Sequence, residues 1–532
     1  MTSDMRVSRS FLLSYVLICF LTVLTGCSTL PTRQTVTPSY IQQIDTSQTY
    51  LSRLFSPQKQ QHPDLTGYHI LFDPSEAIIS RLQLIERAEK SLDLQYYIWD
   101  NDKIGVLALA ALLKAADRGV QVRLLIDDNN SKDLEAAYHA LDQHPNIQIR
   151  LFNPYRFRQL RVLDLAFNFN RMTRRMHNKT FIADHQIALI GGRNMSNQYY
   201  NSSESFQFSD MDVVLVGKAV EDISESFDEY WNHDYAYPVA QLSAYKSKKL
   251  SYQSVRKQIE DHWFISNLND EMGILSSALK FDSWFNQDLD FEWVTAKVVK
   301  DSANKIKHDT APEDYLSFQL KSMLSTPQKN IDLVSAYFVP EQQGVETIIK
   351  RKQEGVNIRI LTNSFKANDV PIVHAFYSQY REDLLKNGIE LYEFLPVLPM
   401  NLSRQERQDT FGKDTKFNRS GLSRSSLHAK FMAQDSEQVF IGSFNFDPRS
   451  AYLNTEIGVV LNSPTLAAAI HNNMDQNIMD YAYKLELNEQ NKIQWIKKEG
   501  EQKVIFNTEP KTAWWQRIGL KMLSWLPIEK QM

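Results

Sequence analysis

The chain has 532 residues, of which 43% are hydrophobic and 23% are charged, and its formal net charge is −4. At roughly 150 residues per domain, this length predicts two to four globular domains with cores large enough for an enzyme. Proteins that coat nucleic acid usually carry a strong basic excess, so the acidic balance argues against nucleic acid as the main partner.

The N-terminus has the pattern of a secretory signal. Arg6 and Arg9 precede an apolar run, residues 11–24, which is shorter than the roughly 20 residues that a membrane-spanning helix needs. The run leads into Leu-Thr-Gly-Cys, which resembles the bacterial lipobox and ends at Cys27. We therefore expect residues 1–26 to be removed and acyl chains on Cys27 to hold the protein to a membrane, facing the periplasm. A plain signal peptide or a short anchor is the alternative, and the choice between inner and outer membrane stays open.

Residues 27–65 are rich in Thr, Ser, Gln and Pro and show no sustained hydrophobic periodicity. This composition predicts a flexible tether between the lipid anchor and the globular part.

From residue 66 onward, strand-like and helical segments alternate, and the same order of segments returns from residue 291. The paired strands are predicted at Tyr68 to Phe72 with Glu292 to Val299, Ser91 to Ile98 with Asn330 to Tyr337, Arg118 to Leu125 with Glu354 to Leu361, and Ile147 to Phe152 with Ile389 to Phe394. Strands rich in Val, Ile and Leu, separated by segments long enough for helical crossovers, predict α/β halves with mainly buried sheets. The predicted domains are 66–290 and 291–510, and two unrelated α/β domains are the alternative.

Each half carries one copy of the same motif, in which a His is followed by a Lys two residues later and an Asp five residues after that. The two copies are His177, Lys179 and Asp184, and His428, Lys430 and Asp435. Each is followed at the same distance by Ile-Gly-Gly or Ile-Gly-Ser and then an Asn, which supplies Asn194, Ser443 and Asn445. Agreement in residue type and spacing between distant segments predicts one composite site built from both halves.

Side chains alternate faces along a strand, so His177 and Lys179 emerge on one side, and the second copy repeats this geometry. Two such halves packed about a pseudo-twofold axis would bring two imidazoles and two ammonium groups to one cleft, which suits a phosphodiester. One neutral imidazole can attack phosphorus while the other, protonated, donates to the leaving oxygen, since a His pKa of about 6.5 makes both states reachable. The lysines and the amides of Asn194 and Asn445 are candidates to bind the equatorial oxygens, and no metal is required.

The acidic residues near the motifs are predicted to have two different tasks. Asp184 and Asp435 lie near strand-to-turn positions, where a carboxylate often caps backbone N–H groups, so we interpret them as structural. Asp212 and Glu456 are the candidates to accept a proton from a ring nitrogen and set the tautomer of each His. Which carboxylate faces which His is left open.

On these motifs the chain resembles the phospholipase D superfamily, whose signature is H-x-K-x4-D followed by G-[GS]-x-N. The resemblance spans residues 66–510. In detail, the chain is similar to the C-type branch of the bacterial cardiolipin synthases. It implies two tandem phospholipase D-like α/β/α sandwich domains related by a pseudo-twofold axis, with the active site at their interface. The family signature counts Asp184 and Asp435 with the catalytic set.

The resemblance also implies a phosphatidyl-histidine intermediate and no cofactor. By analogy His177 is the nucleophile and His428 the acid and base, although the two roles can be exchanged. The branch transfers a phosphatidyl group to phosphatidylglycerol, and phosphatidylethanolamine is the expected donor for the C type. These lipids and the membrane surface are the expected partners.

The C-terminal segment, residues 511–532, is apolar and rich in Trp, with Arg517 and Lys521 interspersed. It predicts either docking at a membrane interface or a terminal helix that covers the core. A basic stretch, residues 403–424, is either a site that gathers anionic headgroups or a solvated loop.

Three activities compete on the sequence: a phosphatidyltransferase that makes cardiolipin, a phospholipase D that releases phosphatidic acid, and a nuclease. Transfer and hydrolysis share the first half of the reaction and differ in whether a lipid alcohol or water reaches the intermediate. The acidic net charge and the lack of interleaved basic and aromatic residues argue against the nuclease. A non-enzymatic scaffold would be expected to carry a damaged motif, whereas both copies are intact.

Overall fold

The structure is a computed structural model that describes residues 33–200, 207–242, 250–269, 291–308, 310–324, 327–396 and 425–531. The predicted signal segment, the lipidation site Cys27 and the basic stretch 403–424 lie outside the described residues. Two large mixed sheets, one for each half of the chain, form the centre of the molecule.

The sheet of the first half contains nine strands. The strands of this half are β1 Thr66–Leu71, β2 Ser91–Tyr96, β3 Gln121–Asp127, β4 Ile147–Phe152, β5 Thr180–Ala183, β6 Ile187–Gly191, β7 Gln207–Ser209, β8 Asp212–Gly217, β9 Ala236–Pro238 and β10 Glu292–Val294. Their order in the sheet is β10-β1-β8-β6-β5-β2-β3-β4-β9, and β7 lies outside it.

The sheet of the second half contains ten strands. The strands of this half are β11 Ala296–Lys300, β12 Asn330–Ser335, β13 Asn357–Asn363, β14 Glu390–Phe394, β15 Ser425–Leu427, β16 Lys430–Gln434, β17 Gln438–Gly442, β18 Ile457–Leu461, β19 Ala482–Leu487, β20 Ile493–Glu499 and β21 Gln502–Phe506. Their order is β11-β18-β17-β16-β12-β13-β14-β19-β20-β21, and β15 pairs with β7 of the first half.

Helices cover both sheets and connect their strands. They are α1 Tyr50–Gln61, α2 Pro74–Arg87, α3 Lys103–Asp117, α4 Glu135–Leu141, α5 Arg161–Phe167, α6 Phe169–Met172, α7 Lys218–Asn232, α8 Tyr252–Asn269, α9 Leu316–Leu324, α10 Glu341–Gln353, α11 Pro371–Ser378, α12 Arg381–Lys386, α13 Pro464–Tyr481 and α14 Trp514–Leu523. In the described part of the chain, none of the helices combines the length and apolarity needed to cross a membrane. The predicted α/β fold class, with two sheet-containing halves, is confirmed.

The internal duplication is visible in the order of the strands. From β1 to β9 in the first sheet and from β11 to β19 in the second, each strand has a counterpart at the same place. In both halves three strands run parallel, β2-β3-β4 and β12-β13-β14, while the strand that follows the His-Lys motif pairs antiparallel with the first of them. The start of that antiparallel strand therefore lies at the carboxyl edge of the parallel strands, and the motif lies at that edge in both halves.

The junction between the halves differs from the prediction. The single strand expected from Glu292 to Val299 is two strands, because β10 pairs with β1 of the first sheet and β11 pairs with β18 of the second. The first sheet therefore extends past the predicted domain boundary at residue 291. Strand β10 covers an edge of β1 that would otherwise expose unpaired backbone groups. This explains why the chain adds a strand to the first sheet before it enters the second sheet.

The tether predicted for residues 27–65 is wrong for its last part, where α1 packs against the first half. Leu51 and Phe55 are buried, and the Phe55 ring meets that of Phe291 edge to face at 5.8 Å. Thr49 caps the helix by accepting a hydrogen bond from the Ser52 N–H. A short apolar face of one helix is enough to join the core, although it is too brief to register as sustained periodicity.

The two halves meet through an apolar cluster and through backbone hydrogen bonds. The cluster combines side chains from the facing surfaces of both sheets, including Val213 and Leu215 from β8 and Ile441 and Val459 from the second half. At the carboxyl edges, the segment before each motif His pairs with a segment of the opposite half. Met176 bridges to Thr455, and β15 pairs in parallel with β7.

We expect Phe55→Ala to lower the free energy of unfolding by about 3–5 kcal/mol, because the substitution leaves a cavity between α1 and the core. Urea denaturation followed by circular dichroism measures this change. Gln60→Ala, on the exposed side of the same helix, is the matched control and should be nearly neutral. Equal midpoints for the two variants would show that this segment is a tether after all.

Candidate active site

The structure brings the four basic motif residues to the junction between the halves. His177 and Lys179 lie just before and beside the start of β5, and His428 and Lys430 hold the same places on β16. All four side chains are nearly buried, with exposures of 8% and 7% for the two histidines and 2% and 1% for the two lysines. The predicted composite site is therefore present in the geometry.

The His177 ring is oriented by a carboxylate of the second half. Its Nδ1 lies 2.9 Å and 3.1 Å from the two oxygens of Glu456. Glu456 is itself held by hydroxyl donors, because Ser443 and Ser450 each donate a hydrogen bond to it. Glu456 thus takes the orienting position that the sequence suggested, and Ser443 acts on this carboxylate.

The His428 ring is oriented by Asp210 of the first half, and the prediction of Asp212 for this task is wrong. Asp210 Oδ2 lies 2.6 Å from His428 Nδ1. Asp212 instead accepts a hydrogen bond of 2.7 Å from Arg81 and lies 3.4 Å from a guanidinium nitrogen of Arg193. Its negative charge is balanced by these two buried cations, so it is unavailable to an imidazole.

A signal for Asp210 was present in the sequence. The register pairs Gly191 with Asp212 in the first half and Gly442 with Gly458 in the second, which makes Asp210 the counterpart of Glu456. Aligning the Val-Val pairs that follow, rather than the nearest carboxylates, identifies the same correspondence.

Each motif His is held by the opposite half through two contacts, one to its ring and one to its backbone N–H. The His177 backbone N–H donates to the Thr455 carbonyl at 2.9 Å, one residue before Glu456, and the His428 N–H donates to the Ser209 carbonyl at 2.7 Å, one residue before Asp210. Backbone pairing thus places each carboxylate beside the His of the other half, so neither half alone can orient its own ring.

The lysines surround the histidines with positive charge. Lys179 Nζ donates to the carbonyl of His177 at 2.5 Å, while Lys430 Nζ donates to the carbonyl of His428 and lies 3.1 Å from its Nδ1. Burial lowers the pKa of Lys430, and the carboxylates of Asp210 and Glu456 oppose that shift. A buried cation interacts strongly with any anion that enters because little water screens it.

The surroundings of both imidazoles favour the neutral ring. Burial lowers the pKa of His177 to about 4, against the opposing effect of Glu456. Burial also lowers the pKa of His428 well below its usual range, and the charges of Lys430, Lys179 and His177 add to this shift. An Nδ1–H donated to a carboxylate leaves the Nε2 lone pair of a neutral ring available for reaction.

Two tyrosines that the sequence did not identify pack edge to face on the histidines. The Tyr97 ring lies 5.0 Å from that of His177, and the Tyr199 ring lies 5.1 Å from that of His428. Asn194 belongs to this support, because its Oδ1 accepts from the Ile98 N–H at 3.0 Å and its amide donates to the Tyr199 hydroxyl at 2.9 Å. Both aromatic contacts limit rotation of the imidazoles.

The two motif asparagines, predicted to bind phosphate, are not equivalent. The side chain of Asn194 is engaged with Ile98 and Tyr199, so it positions an aromatic ring. The Oδ1 of Asn445 has no hydrogen-bond partner among the described residues. Asn194 therefore has a structural task, whereas the role of Asn445 as a phosphate ligand, which requires its amide N–H to donate, stays a prediction.

The motif carboxylates Asp184 and Asp435 lie away from the histidines, at the amino ends of the parallel strands. Asp184 accepts three backbone hydrogen bonds of 2.8–3.0 Å from residues 89–91, and Asp435 accepts three of 2.6–2.9 Å from residues 328–330. Both have left-handed backbone conformations, with φ of 47° and 53°. Their interpretation as structural caps fits this geometry, and neither contacts the reacting groups.

Comparison with known proteins identifies the family of the chain. The family described as Cardiolipin synthase, PLD-like domain matches residues 82–231 and 320–478, more than half of the chain. Cardiolipin synthase C of Escherichia coli is 38% identical over 474 residues, which cover 89% of this chain and 98% of that protein. An uncharacterized protein of Helicobacter pylori is 30% identical over 86% of this chain and 88% of its own length.

A solved structure shows the same fold. The phosphatidylserine synthase of Haemophilus influenzae superposes with a TM-score of 0.52 at 12% sequence identity, covering 88% of this chain and 95% of that one. The family match and the relatives at 30% and 38% identity together lead to one assignment. The chain belongs to the phospholipase D superfamily, in the family described as Cardiolipin synthase, PLD-like domain.

Proposed function

We propose that this protein is a cardiolipin synthase, a phosphatidyltransferase that moves a phosphatidyl group from a donor phospholipid, with phosphatidylethanolamine as the expected donor, onto phosphatidylglycerol. The observation that carries the proposal is the pair of neutral imidazoles, His177 and His428, each oriented through Nδ1 by a carboxylate of the opposite half. The 38% identity to Cardiolipin synthase C over nearly the whole of that protein supports the lipid substrate class.

The first half of the reaction breaks the donor. The Nε2 of neutral His177 attacks phosphorus and forms a P–N bond, while the P–O bond to the donor headgroup breaks. Protonated His428 gives its proton to the leaving oxygen. The phosphodiester anion opposes the positive charge of Lys179 and Lys430, which otherwise lowers the pKa of His428, so substrate binding favours the protonated ring.

The second half forms the product. A hydroxyl of phosphatidylglycerol attacks the phosphorus of the phosphatidyl-histidine, His428 accepts the hydroxyl proton, and the P–N bond to His177 breaks. Both imidazoles return to their starting states. In each half Lys179 and Lys430 stabilise the charge that grows on the non-bridging oxygens, and burial makes this stabilisation stronger than it would be in water.

Exposed apolar residues near the carboxyl edges of the sheets support docking on a membrane interface. On and after α14 these are Trp514, Trp515, Ile518, Met522, Trp525 and Leu526, all more than 40% exposed. At the start of α5 and on α5 and α6 they are Leu160, Val162, Leu165, Phe167 and Phe169, also more than 40% exposed. The buried Leu520 packs α14 against Phe365 and Ala375, so the Trp-rich face points outward instead of covering the core.

The two exposed faces lie near the active site. Arg161 of α5 donates to the carbonyl of Asn129, whose amide donates to the hydroxyl of Tyr97, the ring on His177. On the other side, Phe365 follows Asn363 by two residues, and Asn363 accepts from the Leu427 N–H just before His428. Insertion of both faces would present the site to lipid, and a lipid anchor on Cys27 facing the periplasm would keep the protein at that membrane.

Product analysis tests the function directly. Purified protein in vesicles of phosphatidylethanolamine and isotopically labelled phosphatidylglycerol should yield labelled cardiolipin, measured by mass spectrometry.

His177→Ala should lower the rate by about 10³-fold or more with an unchanged melting temperature, because no other imidazole replaces the nucleophile. His144→Ala, a partly exposed His beside Asp117, is the matched control. Phosphatidic acid without cardiolipin would identify a hydrolase, and wild-type rates in His177→Ala would refute the site.

We expect Asp210→Asn and Asp212→Asn to separate orientation from stability. Asp210→Asn should lower kcat about 10²- to 10⁴-fold with little change in KM, because Asn cannot hold His428 in the same tautomer and orientation. Asp212→Asn should cost about 3–5 kcal/mol in unfolding free energy, since it leaves Arg81 and Arg193 without their buried anion, while the folded fraction keeps a kcat within a few-fold of wild type. Steady-state kinetics and urea denaturation measure both effects. The opposite pattern would return the orienting role to Asp212.

Membrane docking is tested by vesicle sedimentation with anionic phospholipid. Replacing Trp514 and Trp525 with Ser should weaken partitioning about tenfold, because two large apolar side chains no longer enter the interface. Tyr40→Ser removes an aromatic residue that is 45% exposed and lies next to Ser39, whose carbonyl accepts a hydrogen bond from Arg123 near the amino end of β3, so it should leave partitioning unchanged. Equal partitioning of all three proteins would contradict docking through α14.

A further inference from the structure

An apolar cleft of about 500 Å³ lies on the outer face of the second sheet, between α9 and α10. Its floor is formed by alternate side chains of β12 and β13, namely Ile331, Leu333, Ile358 and Ile360. Its volume falls in the range of about 300–1,000 Å³ that is usual for small-molecule sites.

The duplicated fold does not require this cleft. In the first half, eleven of the fifteen residues of α3 are buried against the sheet, and α2 packs beside α3. Trp99 is also fully buried there, with its ring N–H donating to the Gly105 carbonyl at 2.9 Å. In α10, the counterpart of α3, Val345 is the one buried residue. The described residues of the second half thus leave a cleft between α9, α10 and the sheet, although the four residues of its floor are only 1–4% exposed.

The cleft shares a wall with the active site. Phe444, Phe446 and Asp447 line the cleft, and they belong to the segment that runs from Ser443 to Glu456. Asp447 is also close enough to Lys430 for its charge to raise the pKa of that ammonium group. Phe338, which also lines the cleft, forms an isolated backbone bridge with Phe446. The segment that lines the cleft therefore also lies beside the lysines of the active site.

We propose that the cleft binds one hydrocarbon chain of the phospholipid whose phosphodiester is bound by the two histidines. This inference rests on the proposed function, because a phosphatidyl group carries its acyl chains within a few bonds of the reacting phosphorus. The lining matches a hydrocarbon chain, since it is formed mainly by aliphatic and aromatic side chains, with Phe318 and Tyr452 exposed at its rim.

A substitution that fills the cleft tests the proposal. Thr347 of α10 lines the cleft, and its hydroxyl bonds to the Gln343 carbonyl of the same helix, so Thr347→Trp places a large ring there without breaking a bond to another element. Glu346→Trp, at the neighbouring exposed position, is the matched control. Cardiolipin formation from phosphatidylglycerol is measured with dioleoyl and with dihexanoyl phosphatidylethanolamine as the donor in detergent micelles, after equal melting temperatures have been established.

We expect Thr347→Trp to lower kcat/KM for the dioleoyl lipid tenfold or more and to change that for the dihexanoyl lipid less than twofold, while Glu346→Trp changes neither. Equal losses on both lipids, or no loss on either, would overturn the proposal, because a cleft that is covered by protein or left empty does not distinguish chain length.

Photo-crosslinking separates this inference from the proposed function. Phosphatidylethanolamine with a diazirine in one acyl chain is irradiated with the wild-type protein, and the labelled peptides are identified by mass spectrometry. Label on α9, α10 or residues 444–452, abolished by Thr347→Trp, supports the cleft even if no cardiolipin is formed. Cardiolipin formation with label elsewhere would refute the cleft alone.

Discussion

The structure depends on hydrogen bonds that cross between the two halves at the motif histidines. Each imidazole donates its Nδ1–H to a carboxylate from the other half, Glu456 for His177 and Asp210 for His428. The backbone next to each carboxylate accepts the N–H of the same His. A ring held at both its backbone and its Nδ1 keeps Nε2 in one direction, which is the condition for in-line chemistry at phosphorus.

The same arrangement explains how several charges are tolerated in one buried place. Two lysines and two carboxylates lie around the histidines, and an isolated charge at such depth would be strongly disfavoured. The carboxylates compensate the lysines, and the histidines stay neutral because burial and the nearby ammonium groups lower the pKa of each ring. The site thus has positive charge for a phosphodiester and an unprotonated nitrogen for attack.

The two halves share the order of their strands but differ in the side chains that support the orienting carboxylates. This difference affects how each His is held. Where the second half has Ser443 donating to Glu456, the first half has Gly192, and a Cβ there would lie 2.3 Å from Asp210. A shorter carboxylate with a glycine replaces a longer one with a serine, so the two histidines are oriented by similar but unequal supports. The outer faces diverge further, because eleven residues of α3 are buried but only Val345 of α10 is.

Much of this protein was determined by the sequence alone. The repeated His-x-Lys motif, its spacing to Ile-Gly and the matching order of strands were enough to predict two α/β halves, one composite site and its chemistry, because these features are local and periodic. The structural task of Asp184 and Asp435 also followed from their position after a strand.

Tertiary structure decided which residues meet. Asp210 rather than Asp212 orients His428, because Arg81 and Arg193 form ion pairs with Asp212. Both arginines come from segments other than the one that carries Asp212. The exchange of carboxylates between halves, the return of β10 to the first sheet and the packing of α1 depend on contacts between segments far apart in the chain. Sequence spacing records how residues are placed along one strand or helix, whereas these contacts arise only when separate surfaces pack, and that is why the fold was needed to see them.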